Sequence, residues 1–147
     1  MAVNGQQINN LIREIGITQR RQLETRLRTE VNVTPEQGRA LQMVAAKPGL
    51  IQREMADMFN RRGASVSSLL QNLERDGLIT RQRAANNGRN KQIFLTEAGQ
   101  RLVDRIQEEF EQANQGVTSQ LTVDEQKMLI QLLQKLNNGE ADHGDTL

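Results

Sequence analysis

Residues 61–78 read RRGASVSSLLQNLERDGL. Val66, Leu69, Leu70 and Leu73 recur at i, i+3, i+4 and i+7, one apolar stripe of a 3.6-residue helix. Half a turn away, Ala64, Ser68, Gln71 and Arg75 form a second row, flanked by Ser67 and Asn72. That row carries hydroxyls, amides and a guanidinium and no acid, so it could enter a nucleic-acid groove and meet base edges. Taken alone, a solvated surface face is the simpler account. The neighbouring segments must decide.

Immediately upstream, Gln52–Phe59 forms a short amphipathic helix with Ile51, Met55, Met58 and Phe59 inward. Asn60-Arg61-Arg62-Gly63 reads as a tight turn, so the pair has the helix-turn-helix pattern. Before it, Thr34-Pro35-Glu36-Gln37 offers a Thr N-cap, Pro at the first helical position and Gln at N3. Leu41, Val44 and Ala45 supply that helix's buried side, and Lys47-Pro48-Gly49 stops it.

Downstream, Gly77 suits a helix C-cap in the left-handed region, and the hydrophobic period then changes. Residues 78–83 and 91–95 read as two strands of a β-hairpin, with a longish tip over 84–90 that includes Asn87-Gly88. Arg81, Arg83, Arg89 and Lys91 crowd this hairpin, and no acid occurs between Gly77 and Thr96. A basic hairpin of this kind suits a phosphate backbone or a minor groove.

The two ends of the chain are helical. Over residues 6–27, Ile8, Leu11, Ile12 and Ile15 make an apolar stripe that Leu23 and Leu27 continue, to be buried in the domain or against a second copy. Thr96 caps a long helix with Leu102, Val103, Ile106 and Phe110 inward. Thr122-Val123-Asp124-Glu125 opens a last helix containing Met128, Leu129, Leu132, Leu133 and Leu136, an apolar excess that favours a partner subunit. The closing stretch, residues 137–147, is polar and expected to be disordered.

Composition narrows the classes. With 147 residues the chain can bury a core as one domain, and at 2% aromatic content that core must be aliphatic. Absence of Cys excludes a thiol nucleophile or disulfide and suits a cytoplasmic protein. The first residues lack a signal peptide's pattern, and no apolar run is long enough to span a bilayer, so no membrane association is expected. The net charge of +1 is unevenly spread. Residues 51–96 hold eight Lys/Arg against four Asp/Glu, whereas residues 97–147 hold four against ten. A polyanion contact confined to one region fits this division.

An enzyme fares badly. The only His, His143, lies in the polar tail with no Cys beside it, and no glycine-rich phosphate loop appears. Asp104, Glu108 and Glu111 share a helix face, which a solvated acidic surface explains better than a metal. No catalytic residue, cofactor or metal is expected. A helical module whose basic hairpin binds an acidic protein is the remaining alternative.

The order of elements and four pieces of sequence resemble the multiple antibiotic resistance regulator (MarR) family of winged-helix transcription factors. The pieces are Thr34-Pro35-Glu36-Gln37, Pro48-Gly49-Leu50, the run from Leu69-Leu70 through Leu73-Glu74 to Gly77-Leu78, and Leu95-Thr96-Glu97-Ala98-Gly99. They cover residues 34–102, and the remainder matches by layout. The resemblance implies a mainly α fold with a small β-hairpin wing, a winged helix-turn-helix with N- and C-terminal dimerisation helices. Residues 1–33 would serve dimerisation, 34–98 the DNA-binding lobe, 99–137 dimerisation again, and 138–147 a disordered tail.

It also implies roles. The recognition helix would be residues 63–76, with Ser65, Ser67, Ser68, Gln71 and Asn72 facing bases or nearby phosphates. Arg61, Arg62 and Arg75 would hold phosphate, and Arg89 at the wing tip would reach the minor groove. Arg81, Arg83 and Lys91 would support it on the backbone, a solvated strand face being the equal alternative for Arg81 and Arg83. Where the family usually has Asp-x-Arg, this chain has Asn87-Gly88-Arg89, so the arginine is kept without its acidic anchor. Ile51 stands where the family often has a capping Ser or Thr, and Arg61-Arg62 where it often has an apolar–acidic pair. The expected partners are double-stranded DNA read as a pseudo-palindrome by a homodimer, and a small anionic or phenolic effector that releases it. Ile17, Arg39, Met43 and Phe110 are the candidate effector-lining residues, ordinary core being the alternative for Met and Phe. A repressor is the expected outcome, and a regulator with no small effector the alternative.

Overall fold

Gly77 is where the winged lobe is tied together. Helix α4 (Gly63–Arg75) ends with the Leu78 N–H bonded to the Leu73 carbonyl (2.9 Å) and the Gly77 N–H to the Glu74 carbonyl (3.0 Å). This paired closure needs a residue in the left-handed region, and Gly77 adopts φ +73°. The freed carbonyls are taken by Thr96, whose Oγ1 donates to Gly77 O (2.6 Å) and whose N–H donates to Leu78 O (3.1 Å). Thr96 Oγ1 also accepts from the Gly99 N–H (3.0 Å), capping helix α5 (Glu97–Thr118). A Cβ on Gly99 would lie 2.0 Å from Leu78 O. The motif Thr96-Glu97-Ala98-Gly99 is therefore the joint at which three elements meet.

The computed structural model describes residues 4–59, 63–84 and 87–141, without the side chains of residues 63–64, 84, 87–89 and 140–141. Helix α1 (Gly5–Arg26) passes into a wide π-helical turn, Leu27–Val31, that stops at Asn32 in the left-handed region. Helix α2 (Pro35–Ala46) follows a complete capping box: Thr34 Oγ1 accepts from the Gln37 N–H, and the Gln37 side chain accepts from the Thr34 N–H, both at 3.1 Å. Strand β1 (Leu50–Ile51) then leads directly into α3 (Gln52–Phe59). After α4 come β2 (Ile79–Ala84) and β3 (Asn87–Leu95), then α5 and α6 (Val123–Ala141).

The sheet is antiparallel in the order β1-β3-β2, so the expected hairpin gains a third strand. Leu50 pairs with Ile93, and Ile51 with Gln92. Ile51 thus serves as a sheet residue at the place where a helix cap was looked for. The hairpin is also longer than expected. Residues 84 and 87–90 belong to strands, and a register irregularity between Arg83 and Ala84 absorbs the surplus residues of β3.

The core is aliphatic: Leu41, Val44, Leu50, Met55, Val66, Leu70, Leu73, Ile79, Ile93 and Ile106 are all buried. Leu27 and Val31 join it, whereas Ile8, Leu11, Ile12, Ile15 and Ile17 of α1 remain exposed. Arg105 donates to the Glu30 carbonyl, and Arg26 Nε pairs with Glu109 Oε2 at 2.8 Å, fixing the π-helical turn and the end of α1 on α5.

The chain forms two units, residues 1–110 and 111–147. In the second, Thr122 Oγ1 accepts from the Glu125 N–H (3.2 Å), and the Gln126 side chain donates to the Thr118 and Leu121 carbonyls, closing the turn ahead of α6. Helix α6 continues to Ala141, so residues 138–141 are helical and not the start of a tail. Glu140 and Ala141 extend the helix past Gly139. His143 lies outside the described residues. Among the described residues no helix is long and apolar enough to cross a membrane, and no group of His, Cys, Asp and Glu could hold a metal.

Candidate nucleic-acid interface

Helix α4 packs on α3 and on β2, with Val66, Leu70 and Leu73 fully inside. The opposite row follows from that anchoring, and Ser65, Ser68, Gln71, Asn72 and Arg75 are exposed while Ser67 is half-buried. Arg75 lies 3.5 Å from the carboxylate of the adjacent Asp76 with most of its side chain in water, which leaves the guanidinium accessible. Arg61 and Arg62 lie outside the described residues.

The hairpin arginines divide. Arg83 and Lys91 are exposed and sit directly opposite one another in the β2–β3 register. Like charges at opposed positions repel. An anion between them would remove that cost. The Arg89 backbone belongs to β3, and its side chain lies outside the described residues.

Arg81 behaves differently from the expected backbone contact. Its Nε donates to Glu74 Oε2 at 2.8 Å and its Nη2 to Oε1 at 3.5 Å, and only 17% of its side chain is exposed. The guanidinium beside Glu74 holds that carboxyl below its ordinary value of 4.5. A two-point pair of this kind ties the wing strand to the last turn of α4, so Arg81 positions the hairpin. The sequence offers no acid within the hairpin, and the partner comes instead from the preceding helix.

Two described cavities divide three of the four effector candidates. Arg39 and Phe110 line a cavity of about 330 Å³ together with Arg20, Leu23, Leu27 and Pro35. Arg39 and Met43 line a second, of about 320 Å³, with Ala46, Leu50 and Met58. Ile17 is exposed and lines neither. Gln42, common to both cavities, and Arg20 escaped the sequence reading. Their sharing of a cavity depends on how α1 crosses α2.

A three-stranded antiparallel sheet behind a helix-turn-helix, with α5 anchored through Thr96 and Gly99, is a winged helix. The profile of the MarR family matches residues 31–90. The homoprotocatechuate degradative operon repressor of Escherichia coli is 31% identical over 104 residues, 71% of this chain and 70% of that protein. The chain belongs to the MarR family of transcription regulators. Among solved structures, MepR of Staphylococcus aureus, a transcription regulator of the multidrug efflux pump MepA, is 33% identical. It superposes with a TM-score of 0.83 over 89% of this chain and 96% of MepR. A MepR–DNA complex superposes at 0.65, with 33% identity, over 88% and 93% of the two chains.

Proposed function

We propose that this MarR-family chain is a cytoplasmic repressor without catalytic activity that binds a pseudo-palindromic operator as a homodimer. The observation that carries the reading is the exposed row Ser68, Gln71 and Arg75 on α4, beside the opposed cations Arg83 and Lys91. In this reading Ser65, Ser67, Ser68, Gln71 and Asn72 face the major groove. Arg61, Arg62, Arg75, Arg83 and Lys91 hold phosphate, and Arg89 enters the minor groove. Residues 34–98 form the DNA-binding lobe. One row per chain reads too few bases, and two copies would place half-sites about one helical turn apart. The exposed apolar faces of α1 and of α6 support such a pairing.

The cavity holding Arg20, Arg39 and Phe110 joins cations to apolar walls, the chemistry of a small aromatic anion, and is the proposed effector site. Gel shifts on the gene's own upstream region and on random-sequence duplex, across a salt series and with phenolic acids added, test both halves. Affinity should fall steeply with salt on either duplex. No binding at low salt would end the reading. Arg89→Ala should weaken binding to both duplexes alike, while Gln71→Ala should reduce discrimination between them by about 1–3 kcal/mol. Equal effects of the two substitutions on both duplexes would contradict this division of roles.

A further inference from the structure

Helix α3 has no basic residue in its last turn and carries Asp57 there. A helix C-terminus presents unsatisfied carbonyls and partial negative charge, which an acid makes worse. The missing cation comes from α2. Arg39 Nη2 donates to the Met58 carbonyl at 3.1 Å, and the guanidinium carbon stands 4.8 Å from the centre of the Phe59 ring. Both contacts fall on the last two residues of α3, next to the connection that leads to α4. Phe59 packs in turn against the core, so one side chain holds the polar and the apolar sides of this helix end.

The base of this contact is rigid. Arg39 lies between Gly38 and Ala40, both buried, on a helix whose start is closed by a capping box. Its backbone is held between buried neighbours, and its side chain spans from α2 to the end of α3. Because α3 and α4 pack together, that span bears on where the row of Ser68, Gln71 and Arg75 is presented.

We propose that Arg39 is a positioning residue for DNA binding: a C-cap delivered in trans by α2 that fixes the end of α3 and, through it, α4. The proposal rests on the reading of α4 as the DNA-contacting helix. It assigns Arg39 a role in the DNA-bound state that is separate from any contact with an effector.

The test uses the full chain as wild type, Arg39→Met and Arg39→Lys. Methionine keeps an unbranched stem and removes the donor and charge, whereas lysine retains a cation. Amide hydrogen exchange over residues 52–75 should speed up roughly threefold in Arg39→Met, the scale of a charge at a helix terminus. Exchange over residues 97–110 should not change. Affinity for random-sequence duplex at low salt should fall by a similar factor, and Arg39→Lys should recover most of both effects. Unchanged exchange at 52–75, or equal acceleration at 97–110, would overturn the cap. Altered exchange with unaltered affinity would overturn the positioning role. A wild type that binds no duplex would fail the DNA-binding reading itself, while exchange would still decide the cap.

Discussion

Helices α4 and α6 are both rich in leucine, yet they dispose of it in opposite ways. In α4, Leu70 and Leu73 are wholly inside, because α3 and β2 close over them. In α6, Leu132, Leu133 and Leu136 remain 44–52% exposed. The same residue type at the same helical spacing is core in one place and uncovered surface in the other. A helix that exposes so many large apolar side chains presents an interaction surface, the one the proposed homodimer would cover.

The largest effect is expected at α6. Replacing Leu129 and Leu132 together by Glu should leave the lobe folded and the chain monomeric by sedimentation. Operator affinity should then fall by about a hundredfold or more, since the two half-sites no longer act together. A double variant that stays dimeric would show that α6 is not the shared surface. In the lobe, Gly99→Ala should lower unfolding free energy by about 1–3 kcal/mol in a denaturant titration, because its Cβ meets Leu78 O at 2.0 Å. That loss should not vary with protein concentration, as expected of packing inside one chain, whereas the α6 effect should.

The smallest effect is expected at Glu74. Its carboxyl is held below 4.5 in the folded chain by Arg81, so its contribution exists above pH 4.5 and disappears as pH falls through the depressed value. Water screens this half-exposed pair, so the contribution is a few tenths of a kcal/mol. Urea midpoints measured from pH 6 to pH 3 should decline less in Glu74→Gln than in wild type. Identical profiles would show that the pair adds nothing measurable to stability.

Local chemistry made much of the fold legible. Thr34, Pro35 and Gln37 announce α2, Gly77 marks the end of α4, and Thr96 marks the start of α5, because caps are read within a few residues of chain. The i, i+3, i+4, i+7 stripe of Val66 to Leu73 fixed which face of α4 turns inward, and hence which row faces out. Less visible was the extent of the hairpin, since Asn87-Gly88 suggested a turn where the chain continues as strand. Residues 138–141 read as tail by composition and are helix.

Local sequence specifies the set of elements and the polar row of α4, since both depend on side chains a few residues apart. The use of distant charges follows from how the elements pack in three dimensions. Glu74 and Arg81 meet because the end of α4 folds onto β2. Arg39 reaches Met58 because α2 passes the end of α3, and Ile51 becomes a strand because β3 lies beside it. Each of these depends on the packing angle between elements, a quantity that no local pattern of residues encodes.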